Sequence, residues 1–270
     1  LPICGHISAL DGLRGVAILL VLFHHLWPWL WTDPLLSGVT RLSHISWIGV
    51  DLFFVLSGFL ISGILLDSRN RPGYLKRFFA RRTLRIFPLY YLFLMICFFV
   101  LPWALGSLGK EVPEVENAMW FWLYGSNYIW SVQQFNPPEY LGITWSLAVE
   151  EQFYLVWPFV VLLFYRHLKL AITLLISTAI AARIWFIFSV DVWADATYMA
   201  SISRADSLLI GAAIAMYARS DGFRADWWAT AGRLAVFICL PLVVFWQLLY
   251  PGRSTTWFAA FGYKIGRAHV

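Results

Sequence analysis

Arg14 and His25 stand eleven residues apart in "ALDGLRGVAILLVLFHHLWPWLW", residues 9–31. On an α-helix, eleven steps turn about 1,100°, roughly 20° past three whole turns, so the two side chains share one face. They are separated by about 16.5 Å along the axis, and His24 points roughly 100° away from His25. Imidazole is the usual general base near neutral pH, and an ionisable group inside an apolar run needs something to repay its burial. Two readings of His25 stay open: it is a base, or it bonds a neighbouring helix. The plainer reading of Arg14 is a pair with Asp11, three residues earlier.

Other charged positions pose the same choice. Arg82 and Arg85 are three residues apart at "RRTLRIFPLYY" and share a helix face. Arginine forks suit multivalent phosphate, yet a basic run also serves as a topology signal or a lipid-headgroup contact. Glu150 and Glu151 in "TWSLAVEEQFYLVWP" either favour a helix N-terminus, or Glu150 orients a histidine as carboxylates do in triads. Arg204 and Asp206, in "SRADSLLIG", are two apart and do not face each other, so each is expected to find a structural partner on another helix.

The elements that must hold these residues are membrane helices. The 270 residues are 60% hydrophobic and 19% aromatic, with only 13% charged, and mean hydropathy is +0.69. A soluble domain carries about a quarter charged residues, so this chain cannot cover itself with a polar surface. Sixteen Trp and twelve Tyr suit lipid–water interfaces. The net charge of +5 is read as loop bias towards an anionic leaflet and not as nucleic-acid binding. Cys4, Cys97 and Cys239 have no metal-ligand spacing and no assigned disulfide. No cleavable signal peptide is visible.

Runs of spanning length lie near Leu13–Trp31, Ile48–Leu66, Leu84–Leu105, Trp145–Tyr165, Leu170–Phe188, Ile202–Ala218 and Leu234–Tyr250. "WFAAFGY" is read as the start of an eighth. The basic loop 67–85 holds seven Lys/Arg against Asp67, which places it and the N-terminus in the cytoplasm. "NAMWFWLYGSNYIW" is short for a full crossing; an interfacial or re-entrant piece keeps "RHLK" and "RSDGFR" inside. The missing initiator Met and the tail "GYKIGRAHV" read as signs of a fragment.

Taken in order, "LDGLRGVAILLVLFHH", "GVDLFFVLSGFLIS", "RRTLRIFPLYY", "TWSLAVEEQFYLVWP" and "RADSLLIGAAIA" resemble the acyltransferase 3 family over about residues 8–218. These are bacterial membrane O-acyltransferases that modify cell-surface polysaccharides. The resemblance implies an all-α, polytopic bundle with seven to eight of ten expected helices present. Residues 1–263 would be the membrane domain, incomplete at its C-terminus, and 264–270 a tail of uncertain origin. It implies cytoplasmic acyl-CoA, usually acetyl-CoA, as co-substrate, with no bound cofactor and no metal. The expected partners are the lipid bilayer and a carbohydrate acceptor with a free hydroxyl. The family's Arg-x10-His motif falls on Arg14 and His25, its Arg-x-x-Arg motif on Arg82 and Arg85, and the glutamate of Trp-Ser-Leu-x-x-Glu on Glu150. His25 and Glu150 are thus expected to be catalytic, and Arg14, Arg82 and Arg85 to bind substrate. The expected location is the bacterial inner (plasma) membrane. The rival reading is a proton-coupled transporter relaying protons through buried His and Glu.

Overall fold

The computed structural model describes residues 8–30, 48–111, 117–132, 138–189 and 198–220, with positions 115 and 230. Among these residues the chain is helical and forms no strand. The helices, numbered in chain order, are α1 (Ser8–Leu30), α2 (Ile48–Ser68), α3 (Tyr74–Met95), α4 (Leu101–Ser107), α5 (Met119–Trp122), α6 (Ser126–Val132), α7 (Thr144–Leu163), α8 (Leu168–Ser189) and α9 (Ser201–Tyr217). A π-helical turn at Ile96–Val100 joins α3 to α4 without a break. Ile48–Ser68, Tyr74–Ser107, Thr144–Leu163 and Tyr165–Phe186 are each long and apolar enough to cross a membrane. The chain is a multi-pass helical membrane protein. The span expected at Leu234–Tyr250, the piece "WFAAFGY" and the tail lie outside the described residues.

The basic segment read as a loop is mostly helical: α3 begins at Tyr74 and runs on into the apolar run expected from Leu84, so only a short turn ending at Gly73 separates it from α2. Gly73 takes φ 69°, a left-handed conformation that glycine adopts without strain. The apolar window misses this start because Lys76, Arg77, Arg81 and Arg82 interrupt it. A helix in such a place needs only one apolar stripe. Tyr74 and Phe78 are buried, while Arg77 and Arg81 are exposed.

The chain divides into two compact units. In the first, α1, most of α2 and most of α9 meet at glycines. A Cβ on Gly49 would stand 2.7 Å from the Ala17 carbonyl oxygen of α1. One on Gly58 would stand 1.9 Å from the Leu208 carbonyl oxygen, and one on Gly211 2.0 Å from that of Val55. α2 and α9 are therefore in backbone contact, as small residues allow in membrane helix pairs.

The second unit spans Ile64–Asp206 for nearly all its length. Its core packs Tyr90, Leu94 and Cys97 of the α3–π segment against Phe121, Tyr124, Ile129, Leu141 and Ala148. The segment read as interfacial is two short helices, α5 and α6, broken at Tyr124 (φ 53°) and Gly125. A non-glycine residue in the left-handed region is held there by its surroundings. Here Tyr90 Oη donates to the Phe121 carbonyl at 2.7 Å, and Tyr91 Oη to that of Trp122 at 3.2 Å. Tyr90 also stacks on Tyr124 with ring centroids 4.1 Å apart.

Candidate active site

Starting α3 at Tyr74 gives the basic segment a shape. Arg77, Arg81 and Arg85 recur every four residues and so run as one stripe, with Arg82 beside it. Together with Arg71 from the preceding turn they line an open cavity of about 180 Å³, shared with Ile64, Ser68, Tyr74 and Phe78. Tyr74 anchors the cavity by donating to the Pro158 carbonyl of α7 at 3.4 Å. Nearby, Phe79 and Phe159 bring their rings within 6.0 Å. Five guanidinium groups around one cavity, with no acidic residue among those lining it, give it a positive lining whose chemistry suits an anion. Arg82 and Arg85, singled out by their three-residue spacing, are both in it. Arg77 and Arg81, from the same basic run, join them on α3, and Arg71 comes from the turn before it.

Arg14 and His25 lie on α1, which runs unbroken between them, so their eleven-residue spacing is helical throughout. The side chains of His24 and His25 lie outside the described residues. Arg14 is 3.9 Å from Asp11, the pairing expected of it, with both partly exposed. Glu150 is buried at 4% exposure near the start of α7. Arg14 and His25 belong to the first unit; Arg82, Arg85 and Glu150 belong to the second.

Other polar groups in the second unit bond to one another. Gln152 Nε2 donates to Asn127 Oδ1 and to the Tyr124 carbonyl, each at 2.8 Å. Asn127 Nδ2 donates to Ser201 Oγ at 2.8 Å, and Ser201 donates back to Gln152 Oε1. This ring ties the α5–α6 segment to α7 and α9. Burial, and then the Glu151 charge, hold the Tyr124 hydroxyl above its ordinary pKa, so it stays protonated. The partners sought for Arg204 and Asp206 are present. Asp206 pairs with Arg183 of α8 at 2.5 Å, and Arg204 lies 4.3 Å over the Tyr198 ring and 5.8 Å over that of Trp145. Among the described residues no three His, Cys, Asp or Glu are grouped to hold a metal ion.

Comparison with known proteins converges on one family. A family model described as "Acyltransferase domain" matches residues 7–266. The peptidoglycan O-acetyltransferase OatA of Listeria monocytogenes is 33% identical over 230 residues, covering 78% of this chain and 34% of that protein. The putative peptidoglycan O-acetyltransferase YrhL of Bacillus subtilis is 31% identical over 230 residues, 78% of this chain and 33% of that protein. The O-acetyltransferase OatA of Staphylococcus aureus is 30% identical over 223 residues, 78% of this chain and 34% of that protein. The chain thus spans about a third of the length of these relatives. No solved structure matches it. With a family match over nearly its whole length and helices fit to cross a bilayer, the chain belongs to the acyltransferase 3 family.

Proposed function

We propose that the chain is the membrane part of an O-acyltransferase that moves an acetyl group from cytoplasmic acetyl-CoA to a hydroxyl of cell-envelope carbohydrate. Peptidoglycan is the first acceptor to test, since it is named for two of the relatives. The supporting observation is the cavity with five arginines. CoA carries a 3′-phosphate and a diphosphate, about four negative charges near neutral pH, which such a cavity can hold. In this reading the arginines face the cytoplasm of a bacterial inner (plasma) membrane, as does the N-terminus.

The chemistry requires a base. An imidazole takes the proton of the acceptor hydroxyl as its oxygen attacks the thioester carbonyl. The C–S bond then breaks, and CoA leaves with that proton returned to sulfur. The roles of His25 as this base, Glu150 as supporting carboxylate and Arg14 in substrate binding follow from the motif resemblance, and mutagenesis is their test.

Membranes carrying the protein, given acetyl-labelled acetyl-CoA and peptidoglycan fragments, should form a base-labile labelled ester with matching CoA release. His25→Ala should cut the rate by about 10²–10⁴-fold, the usual share of general base catalysis, while His24→Ala, on another face, keeps most of it. Arg85→Ala should weaken donor binding by about 1.5–3 kcal/mol, the range for charge-assisted hydrogen bonds. Proton flux without CoA release would favour the transporter instead.

A further inference from the structure

The arginines of the cavity are strung along one direction. Arg77, Arg81 and Arg85 climb α3 by about 12 Å at 1.5 Å per residue. Around and beyond Arg85 the helix turns apolar side chains outward: Leu84 is 77% exposed and Leu89 73%, as on a helix surface that lies in hydrocarbon. Arg85 therefore stands at the hydrocarbon end of the cavity. Arg71 stands at the opposite, solvent end, on the exposed turn before α3.

That turn is held from both inside and outside. The Arg71 N–H donates to the Ser68 carbonyl at 2.9 Å, which closes a four-residue turn. Ser68 and Arg71 line the cavity, whereas Arg69 between them points elsewhere. Its guanidinium carbon lies 3.4 Å from the centre of the Tyr165 ring. Tyr165 belongs to the short 3-10 turn Tyr165–His167 that joins α7 to α8. A ring face attracts a cation without bringing a countercharge. A carboxylate in that place would hold Arg69 as well, but would set a negative charge beside a cavity suited to anions.

The bonds of acetyl-CoA fix the order of its groups: acetyl thioester, pantetheine arm, diphosphate, then ribose 3′-phosphate. An arm that carries acetyl towards an acceptor across the bilayer leaves the cavity at its hydrocarbon end. The diphosphate then lies towards Arg85 and the 3′-phosphate towards Arg71. A phosphomonoester carries about 1.5–2 negative charges near neutral pH, and a guanidinium fork suits it.

We propose that Arg71, held at the solvent end of the cavity by the stack of Arg69 on Tyr165, takes the ribose 3′-phosphate of the donor. The proposal rests on the acetyl-CoA reading above, and it gives the donor a direction and Arg69 and Tyr165 a positioning role.

The test compares acetyl-CoA with acetyl-3′-dephospho-CoA, which lacks only that phosphate, on the membrane-embedded protein, read as release of the free thiol. For the wild type, KM should be about tenfold higher for the dephospho donor with kcat within about twofold, as loss of uniform binding does. Arg71→Ala should raise KM for acetyl-CoA by about the same factor and leave that for the dephospho donor unchanged. Arg85→Ala, at the diphosphate end, should raise both. Tyr165→Leu should raise KM for acetyl-CoA alone by about threefold, and Tyr165→Phe, which keeps the ring, should recover most of that. Arg69→Ala breaks the same stack from its other side and decides if Tyr165→Leu does not accumulate. Equal fold-changes for the two donors in Arg71→Ala would overturn the proposal, as would an unchanged KM in Arg69→Ala and Tyr165→Leu. A wild type that uses both donors alike, at a salt-sensitive KM, removes the 3′-phosphate contact and keeps the donor reading. A wild type that neither binds nor consumes either donor removes the donor reading as well.

Discussion

Helix α9 meets α2 through bare backbone and α8 through charge. At the first contact Gly58 and Gly211 leave no room for a Cβ, with Leu208 and Val55 carbonyls about 2 Å from where one would sit. Ser207 Oγ adds a long hydrogen bond of 3.4 Å to Asp51 Oδ1. At the second, Arg183 Nη2 donates both to Asp206 Oδ2 and to the Ser203 carbonyl. Lipid tails are as apolar as leucine, so burying apolar surface gains little between membrane helices. What remains is close approach or polar bonding, and the two respond differently to change. A charged contact depends on both partners being present, and can be traded as a pair. A backbone contact depends on nothing being added, and no partner substitution restores it.

The largest effect is expected at the charged contact. Asp206→Ala leaves Arg183 buried without its carboxylate, and breaking a buried pair costs about 3–5 kcal/mol. Thermal unfolding in detergent should show that loss. Replacing both, Arg183→Met with Asp206→Leu, should recover most of it, because apolar groups of similar size often substitute well for a buried pair. If the double variant is as unstable as the single, Arg183 and Asp206 do more than neutralise each other.

At the backbone contact, Gly58→Ala or Gly211→Ala should cost about 1–3 kcal/mol or more by overpacking. The atoms in the way are carbonyl oxygens, which cannot rotate aside as a side-chain tip can. Trimming a neighbour, as in Leu208→Ala, should therefore not rescue Gly58→Ala. A rescue would show that side-chain crowding, not backbone approach, sets the distance.

The same distinction explains what was legible in the sequence. Spans were legible where hydrocarbon thickness dictates an apolar run: α2 at Ile48–Ser68 and α7 at Thr144–Leu163 fall within two residues of expectation. The start of α3 was not, since a helix outside the hydrocarbon keeps its backbone bonds whatever its surface charge. That boundary is what places Arg77 and Arg81 on one helix face with Arg85, while Arg71 stays in the turn before it. Spacing found Arg82 and Arg85 because three-residue neighbours meet on any helix. It also showed that Arg204 and Asp206 need separate partners. It did not name Arg183, which lies 23 residues from Asp206 on another helix.

Gly15 gives the smallest expected effect, and one of opposite sign. Like Gly58 it sits inside a helix of the first unit, but among the described residues nothing lies within 4 Å of where its Cβ would be. With no clash to oppose it, only helix propensity remains. Glycine keeps more freedom in the unfolded chain than alanine does, so Gly15→Ala should stabilise by about 0.5–1 kcal/mol. The measurement is the same detergent unfolding, with Gly58→Ala alongside. Identical chemistry at the two positions should then shift the midpoint in opposite directions. Two losses would mean that something packs on α1 at Gly15, so that close backbone approach is not confined to the contacts at Gly49, Gly58 and Gly211.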